Sequence, residues 1–483
     1  MEKTKEYTSP YEMDGRIPWP KAIVYGLQHV LAMFVGNLTP LIIVMGVCGL
    51  TADAGFGELR TALLQNAMII AGVVTLVQMF SIGPVGGKVP IVMGTSSGFL
   101  GVLNNTVAAC GGGILAYGAI MGACIVGGIF ESVLGAFLKP LRKFFPPIVT
   151  GSVVIAIGLS LLGVGINYFC GGSGKADYGS LPNLFLGFVV LVVIVLLKHF
   201  APQKSILSSS AILFGILAGY VVAIIMTLTL PHTGIDADGV QYTYSWVVDF
   251  AQVKNAAWIA VPSFIGFGAL SDVKITFQAS AIIPIGIMFI VTAIETVGDI
   301  SACIEGGMDR EATDSELSGG VICDGLGSAF AALFGVLPNT SFSQNVGLVS
   351  LTKVVNRFAI SMGAIFLILC GFCPKIGALM SIMPQSVLGG AAVMMFASIL
   401  ISGIQLITKH PIGSREITII SVAIGLGYGL GATTGATAHL PYYVQLIFGG
   451  SGIVPCSLAA IILNIVLPKE SKPVREMWEL EDK

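Results

Sequence analysis

Glu295 and Asp299 stand four residues apart in the stretch AIETVGD, so a helix would carry both carboxyls on one face. Glu295 lies inside an apolar run, where a carboxyl can carry a proton or, once ionised, accept N–H groups from a ligand. Asp299 falls near the inner end of that run, where it is either functional or solvated. Asp324, in VICDGLGSAF, is a third acid in apolar surroundings and reads as a helix cap, a bundle-bonding group or a functional carboxyl. Gln344 and Asn345 add neighbouring carboxamides, each with donor and acceptor side by side. A carboxylate and a carboxamide together suit a flat ring with alternating N–H and C=O groups, as on a nucleobase edge. Phe99 could stack on or flank such a ring, or serve as a core aromatic. His29, preceded by Gln28, is a proton switch or a satisfied packing histidine.

The elements that must hold these groups are membrane helices. Of 483 residues 55% are hydrophobic and only 10% charged, against about 25% charged in a soluble domain. Mean hydropathy is +0.90. A membrane helix needs roughly 20 apolar residues. Clear runs occur near 22–49, 61–82, 114–138, 148–167, 182–198, 206–230, 277–298, 355–373, 385–408, 417–434 and 442–467. Three further segments, 88–104, 317–335 and 338–352, are rich in Gly, Ser, Thr or Pro. The first run begins near Lys21 and is too long for a signal peptide, so the N-terminus is expected to be retained.

Charge placement selects fourteen spans with both ends cytoplasmic. On that count the inner side holds 19 of the 24 basic residues. They are Lys3, Lys5, Arg16, Lys21, Lys88, Lys139, Arg142, Lys143, Lys198, Lys204, Arg310, Lys353, Arg357, Lys409, Arg415, Lys469, Lys472, Arg475 and Lys483. Arg60, Lys175, Lys254, Lys274 and Lys375 remain outside. One span more or fewer reverses every later loop and removes the bias.

Two short matches at nearly one offset suggest an inverted seven-plus-seven repeat. Phe145-Pro146-Pro147-Ile148-Val149-Thr150-Gly151 opens span five as Met383-Pro384-Gln385-Ser386-Val387-Leu388-Gly389 opens span twelve. Gly94-Thr95-Ser96-Ser97 in span three answers Asn339-Thr340-Ser341-Phe342 in span ten. Spans three and ten are also the polar, interrupted ones, and each is expected to hold a short extended piece followed by a half-helix. Unwound backbone at membrane depth lines a cavity or is buried in protein, and a half-helix start there offers free N–H groups to a polar ligand. The plainer alternative is two ordinary helices with polar packing faces. The predicted class is an all-α membrane protein of fourteen spans with extended pieces in spans three and ten.

Several chemistries are disfavoured. No Lys or Arg cluster lies inside a span, which argues against a small dense anion. No P-loop or HExxH pattern occurs, Cys370 and Cys373 have no second pair, and no nucleophile–base set is visible. No enzyme activity, catalytic residue, cofactor, metal or nucleic-acid partner is expected, and pumping would have to run on an ion gradient.

With these residues in view, the chain resembles the nucleobase–ascorbate transporter family. Its signature, Q/E-N-x-G-x-x-x-x-T followed by a basic residue or Gly, is complete in Gln344-Asn345-Val346-Gly347-Leu348-Val349-Ser350-Leu351-Thr352-Lys353. Gln28-His29, the Glu295/Asp299 pair and Asp324-Gly325 also fall where the family has polar residues. The resemblance implies a core domain of spans 1–4 (1–143) and 8–11 (257–374), and a gate domain of spans 5–7 (144–256) and 12–14 (375–468). A cytoplasmic tail, 469–483, would follow. It further implies a homodimer through the gate domain, in the inner cell membrane, and an elevator-like motion of the core.

By the same resemblance, Glu295 and Gln344 bind the base, completed by backbone groups around Gly98, Phe99 and Ser343. His29, Asp299, Asp324, Asn345 and Thr352 maintain coupling or site geometry. The implied activity is secondary active import of a purine nucleobase, xanthine or uric acid, with a proton in preference to sodium. Uracil-type members typically place Glu where Gln344 stands, and a uracil or pyrimidine permease is the alternative. Gly98 stands where purine-type relatives often carry Asn, Ser or Ala, which leaves room for uric acid. An anion transporter of the related sulfate-carrier fold is the competing class.

Overall fold

The computed structural model describes residues 7–468 apart from 139–145, 173, 203–204, 236–239, 409–410, 434, 442–443, 446–447 and 449–451. Lys3, Lys5, Lys139, Arg142, Lys143, Phe145, Lys204, Lys409 and the whole of 469–483 lie outside the described residues.

The chain is mostly helical. The principal helices are α1 (Trp19–Val47), α2 (Gly57–Phe80), α3 (Leu100–Ala109), α4 (Gly113–Ala136), α5 (Pro147–Phe169), α6 (Leu181–Phe200) and α7 (Ala211–Thr229). They continue with α8 (Ala279–Met308), α9 (Asp314–Leu333), α10 (Ser343–Thr352), α11 (Arg357–Gly371), α12 (Gln385–Thr408), α13 (Ser414–Ala432) and α14 (Ile453–Val466). Among the described residues eight helices, α1, α2, α4 to α8 and α12, are long and apolar enough to cross a membrane. A ninth span results if α11 and the short helix Pro374–Ser381, bent by 83° at their junction, count as one.

Two expectations need correcting. α8 does not stop near residue 298 but continues to Met308, where Asp309 turns into the left-handed region at φ 54°. Asp299 therefore sits mid-helix and buried, not at a wet interface. Arg60, assigned to the outer side, lies in the first turn of α2 and is buried there, donating to the Leu50 carbonyl and Ser381 Oγ. The class is also not purely helical. Strands β1 (Met93–Thr95) and β4 (Asn339–Ser341) bear out the expected extended pieces, but β2 (Thr233–Ile235) and β3 (Gln241–Thr243) form an unforeseen hairpin between α7 and α8.

β1 and β4 sit fully buried at the centre. They pair antiparallel, Met93 opposite Ser341, Gly94 opposite Thr340 and Thr95 opposite Asn339. Ser96 N–H to the Pro338 carbonyl and Phe342 N–H to the Val92 carbonyl extend the ladder at either end. Backbone cannot be left unbonded at this depth. Two hydroxyls complete the bonding: Thr75 of α2 accepts from Met93 N–H and donates to its carbonyl, and Ser328 of α9 does the same for Asn339.

Helices here associate through close packing of small residues because lipid offers no hydrophobic drive between them. Gly128 of α4 and Gly325 of α9 illustrate this: a Cβ on either would overlap the carbonyl oxygen of the other. The tightest pairings are α5 with α12, α4 with α9 and α8, α2 and α1 with α11, α6 with α7, and α13 with α14. α9 starts with a capping box, in which Thr313 Oγ accepts from Glu316 N–H and Glu316 accepts from Thr313 N–H. Both Glu316 oxygens also clamp Arg310, at 2.6 and 3.0 Å, which raises the guanidinium pKa further.

Candidate functional site

Where β1 and β4 end, α3 and α10 begin, and both half-helix starts turn towards α8. The first-turn amides of a helix have no intrahelical partner, so these starts present N–H groups and a positive dipole end. A small cavity opens there, lined by Thr95, Gly98, Glu295, Phe342, Ser343 and Gln344, with Met395 and Ile399 of α12 opposite. Glu295 is 6% exposed, and its Oε2 has no hydrogen-bond partner among the described residues. Thr95 Oγ1 and Ser96 Oγ beside it are likewise buried without a partner. Orphaned buried polar atoms are rare in folded proteins, and two on the wall of one cavity, Glu295 Oε2 and Thr95 Oγ1, mark a place built to meet another molecule.

Glu295, Gln344, Gly98 and Ser343 thus share one cavity. A Cβ on Gly98 would lie 3.7 Å from Glu295 Oε2, in ordinary contact, so the missing side chain leaves space beside the carboxylate. Phe99 takes the second of the two roles open to it, that of a core aromatic. Its ring is fully buried, packs edge-on against Phe289 at 4.8 Å, and is not among the lining residues. The aromatic that does line the cavity is Phe342, wedged between Gly36 of α1 and Gly94 of β1, where an added Cβ would come within 2.8 Å of its ring. It stood inside the Asn339–Phe342 match, but its direction depends on the β1–β4 register.

The other acids brace the site. Asp299 accepts from Ser341 Oγ at 2.6 Å and from Ser343 Oγ at 2.9 and 3.1 Å, tying β4 and the start of α10 to α8. Asp324 is no cap. Its Oδ2 accepts from Thr296 of α8 and, at 3.4 Å, from Thr340 of β4, while Oδ1 has no partner among the described residues. Asn345 donates to the His29 carbonyl at 2.8 Å and lies 3.4 Å from His29 Nδ1, joining α10 to α1. Neither lines the cavity. Thr352 is remote, at the far end of α10, and its hydroxyl folds back on the Leu348 carbonyl. One buried acid inside an apolar run escaped the sequence reading: Glu131 of α4, within 114–138, meets the same criterion that selected Glu295.

The small cavity has about 20 Å³ for water-sized occupants, room for one water. Next to it lies a vestibule of about 520 Å³, sharing Ser343 and running down α8, α10 and α12 past Asp299, Gly306, Ser350, Ser402 and Gln405. α8 and α10 end beside Arg310 and Lys353, and α12 ends at Thr408. No group of three or more His, Cys, Asp or Glu side chains among the described residues has metal-holding geometry.

Residues 20–435 match the model of the Permease family, Xan_ur_permease. A xanthine permease of Bacillus subtilis is 35% identical over 94% of this chain and 95% of its own length. The uric acid permease PucK of the same organism is 34% identical over 92% of this chain and 94% of its own. In fold, the chain is similar to the transmembrane domain of the cyanobacterial bicarbonate transporter BicA, with a TM-score of 0.51 at 15% identity over 92% of this chain and 97% of that one.

Proposed function

The chain belongs to this permease family, the nucleobase–ascorbate transporters, multi-pass membrane carriers and not enzymes, and we propose that it imports a purine nucleobase, xanthine or uric acid, together with a proton. The observation that carries this reading is the unpartnered Glu295 oxygen in a cavity shared with Gln344 at the start of a half-helix. Glu295 accepts ring N–H groups, Gln344 pairs with the adjacent N–H and C=O, and the α10 amides meet a carbonyl oxygen. Phe342 and Met395 wall the ring faces. The names of the relatives support purines over the uracil alternative, as does the carboxamide at Gln344.

Transport follows from where the walls come from. The polar recognition groups sit on β1, β4, α8 and α10, while α12 contributes only Met395 and Ile399 to the small cavity. A core of α1–α4 and α8–α11 slides against a gate of α5–α7 and α12–α14 and carries the base past an apolar wall. The tightest helix pairings all fall within one group or the other, which supports that division. The vestibule runs toward the ends that bear Arg310 and Lys353, the side that the positive-inside rule assigns to the cytoplasm, so this conformation faces inward. An inverted repeat is supported by the antiparallel β1–β4 pair and the matching Thr75 and Ser328 clamps, fourteen spans with both ends cytoplasmic by the charge bias along the sequence, and placement in the inner membrane by the family resemblance. The family resemblance adds a homodimer through the gate.

The test is uptake of labelled xanthine and uric acid by cells expressing the chain, with and without a protonophore and with excess unlabelled uracil. Protonophore-sensitive purine uptake that uracil does not displace is the expected result. Uptake that uracil abolishes, or that survives collapse of the proton gradient, overturns the substrate or the coupling reading respectively.

A further inference from the structure

Glu131 is fully buried in the last two turns of α4, among helices whose described residues bring no base to it. From α8 it faces Thr292, whose hydroxyl donates to Oε1 at 3.2 Å, and the Glu295 carboxyl one turn on. From α9 it faces Asp324, next to the Gly128–Gly325 contact. α3, the third helix packed on α4, carries no titratable group. Glu131 Oε2 has no hydrogen-bond partner among the described residues, nor has Asp324 Oδ1 or Glu295 Oε2. The buried basic groups among the described residues bond elsewhere, Arg60 to Leu50 and Ser381, His29 to Asn345.

We propose that Glu131 is a second proton-binding site of the transporter, separate from the base-binding carboxyl and linked to it through Thr292. Three carboxyls in one water-poor region cannot all stay ionised without a compensating cation. The described residues supply neither a compensating cation nor a metal-holding group, so protons balance them. Thr292 is suited to follow the change. Its oxygen lies 3.2 Å from the Phe289 carbonyl as well as 3.2 Å from Glu131. With Glu131 ionised the hydroxyl donates to the carboxylate; with Glu131 protonated it turns to Phe289 and accepts from the acid. The step makes and breaks one O–H bond on Glu131, exchanging the proton with water or a neighbouring carboxyl. It reorients the turn of α8 that leads to Glu295. This rests on the proton-coupled reading above, but its first readout does not.

The experiment compares native protein, Glu131→Gln and Thr292→Val in liposomes. Infrared difference spectra between acidic and alkaline buffer should show a carboxylic-acid C=O band that Glu131→Gln removes and Thr292→Val shifts. In vesicles with an imposed gradient, Glu131→Gln should lower xanthine accumulation by roughly tenfold per pH unit, the factor one proton contributes, and flatten the pH profile. An unchanged band and pH profile would overturn the proposal. If Glu131→Gln does not assemble, an unshifted band in Thr292→Val does so instead. A lost band in a protein that carries no purine would leave the proton site standing and remove the transport reading.

Discussion

Ser343 donates its hydroxyl to both oxygens of Asp299, at 2.9 and 3.1 Å, and so locks the first turn of α10 to α8 one turn below Glu295. Ser341 adds a third bond to the same carboxylate. The distance between the Glu295 carboxyl and the Gln344 carboxamide is thereby set by a side chain that need not touch the substrate.

Asp299→Ala should therefore weaken purine binding without abolishing it. Losing hydrogen bonds to a charged group costs about 1.5–3 kcal/mol, roughly ten- to a hundredfold. The Michaelis constant for xanthine should rise by that factor at normal membrane levels. An unchanged constant would mean that the α8–α10 spacing is held elsewhere.

Gln344→Glu should suppress purine uptake at least tenfold, because a second carboxylate would face Glu295 across a dry cavity where two like charges cannot both ionise. Uracil should compete better with whatever uptake remains. Initial rates with cold uracil as competitor measure both effects.

Much of this arrangement was visible in the sequence. An acid or carboxamide inside an apolar run is conspicuous, which picked out Glu295, Asp324 and Gln344, and clustered Gly, Ser and Thr marked the extended pieces of β1 and β4. What stayed hidden depends on partners far along the chain. Asp299 was taken as near the interface because ISACIEGGM reads as polar, yet α8 runs on to Met308. Phe99 and Phe342 are equally aromatic, and only the β1–β4 register decides which ring reaches the cavity. Glu131 was legible by the rule applied to Glu295 and was missed.

Gly98→Ala tests how tightly the pocket is sized. The added methyl would lie 3.4 Å from Met288 Cε and 3.7 Å from Glu295 Oε2, so the fold accommodates it while the cavity shrinks. Uric acid carries one more ring oxygen than xanthine and should suffer more, by about 1–3 kcal/mol or up to a hundredfold in relative uptake. Equal loss of both substrates would place Gly98 away from the ring.

Asn345→Ala should act on stability. It removes the second hydrogen bond to the buried His29 carbonyl, which keeps its partner within α1, at a cost of about 0.5–1.5 kcal/mol, and frees α10 from α1. Melting in detergent should begin at a lower temperature, and xanthine should restore part of the loss because a ligand that binds only the folded state stabilises it. A variant that melts like the native protein would show that this contact contributes little.

The proposed sliding of core against gate would have its own signature at α12. Gln405 and Ser402 line the vestibule, whereas Met395 and Ile399 lie one to three turns above it against the closed base cavity. A cysteine at Gln405 should react with a membrane-impermeant thiol reagent from the cytoplasmic face, and one at Ile399 should not, in the inward-facing state. If the core carries the base outward past a fixed α12, shifting the population to the outward state must bury the first position and expose the second to the external medium. Single-cysteine variants in a background lacking the native cysteines, labelled in right-side-out and inside-out vesicles, separate the possibilities. Reaction at Gln405 from both faces at once would describe a channel; reaction at neither in any state would mean that α12 travels with the core.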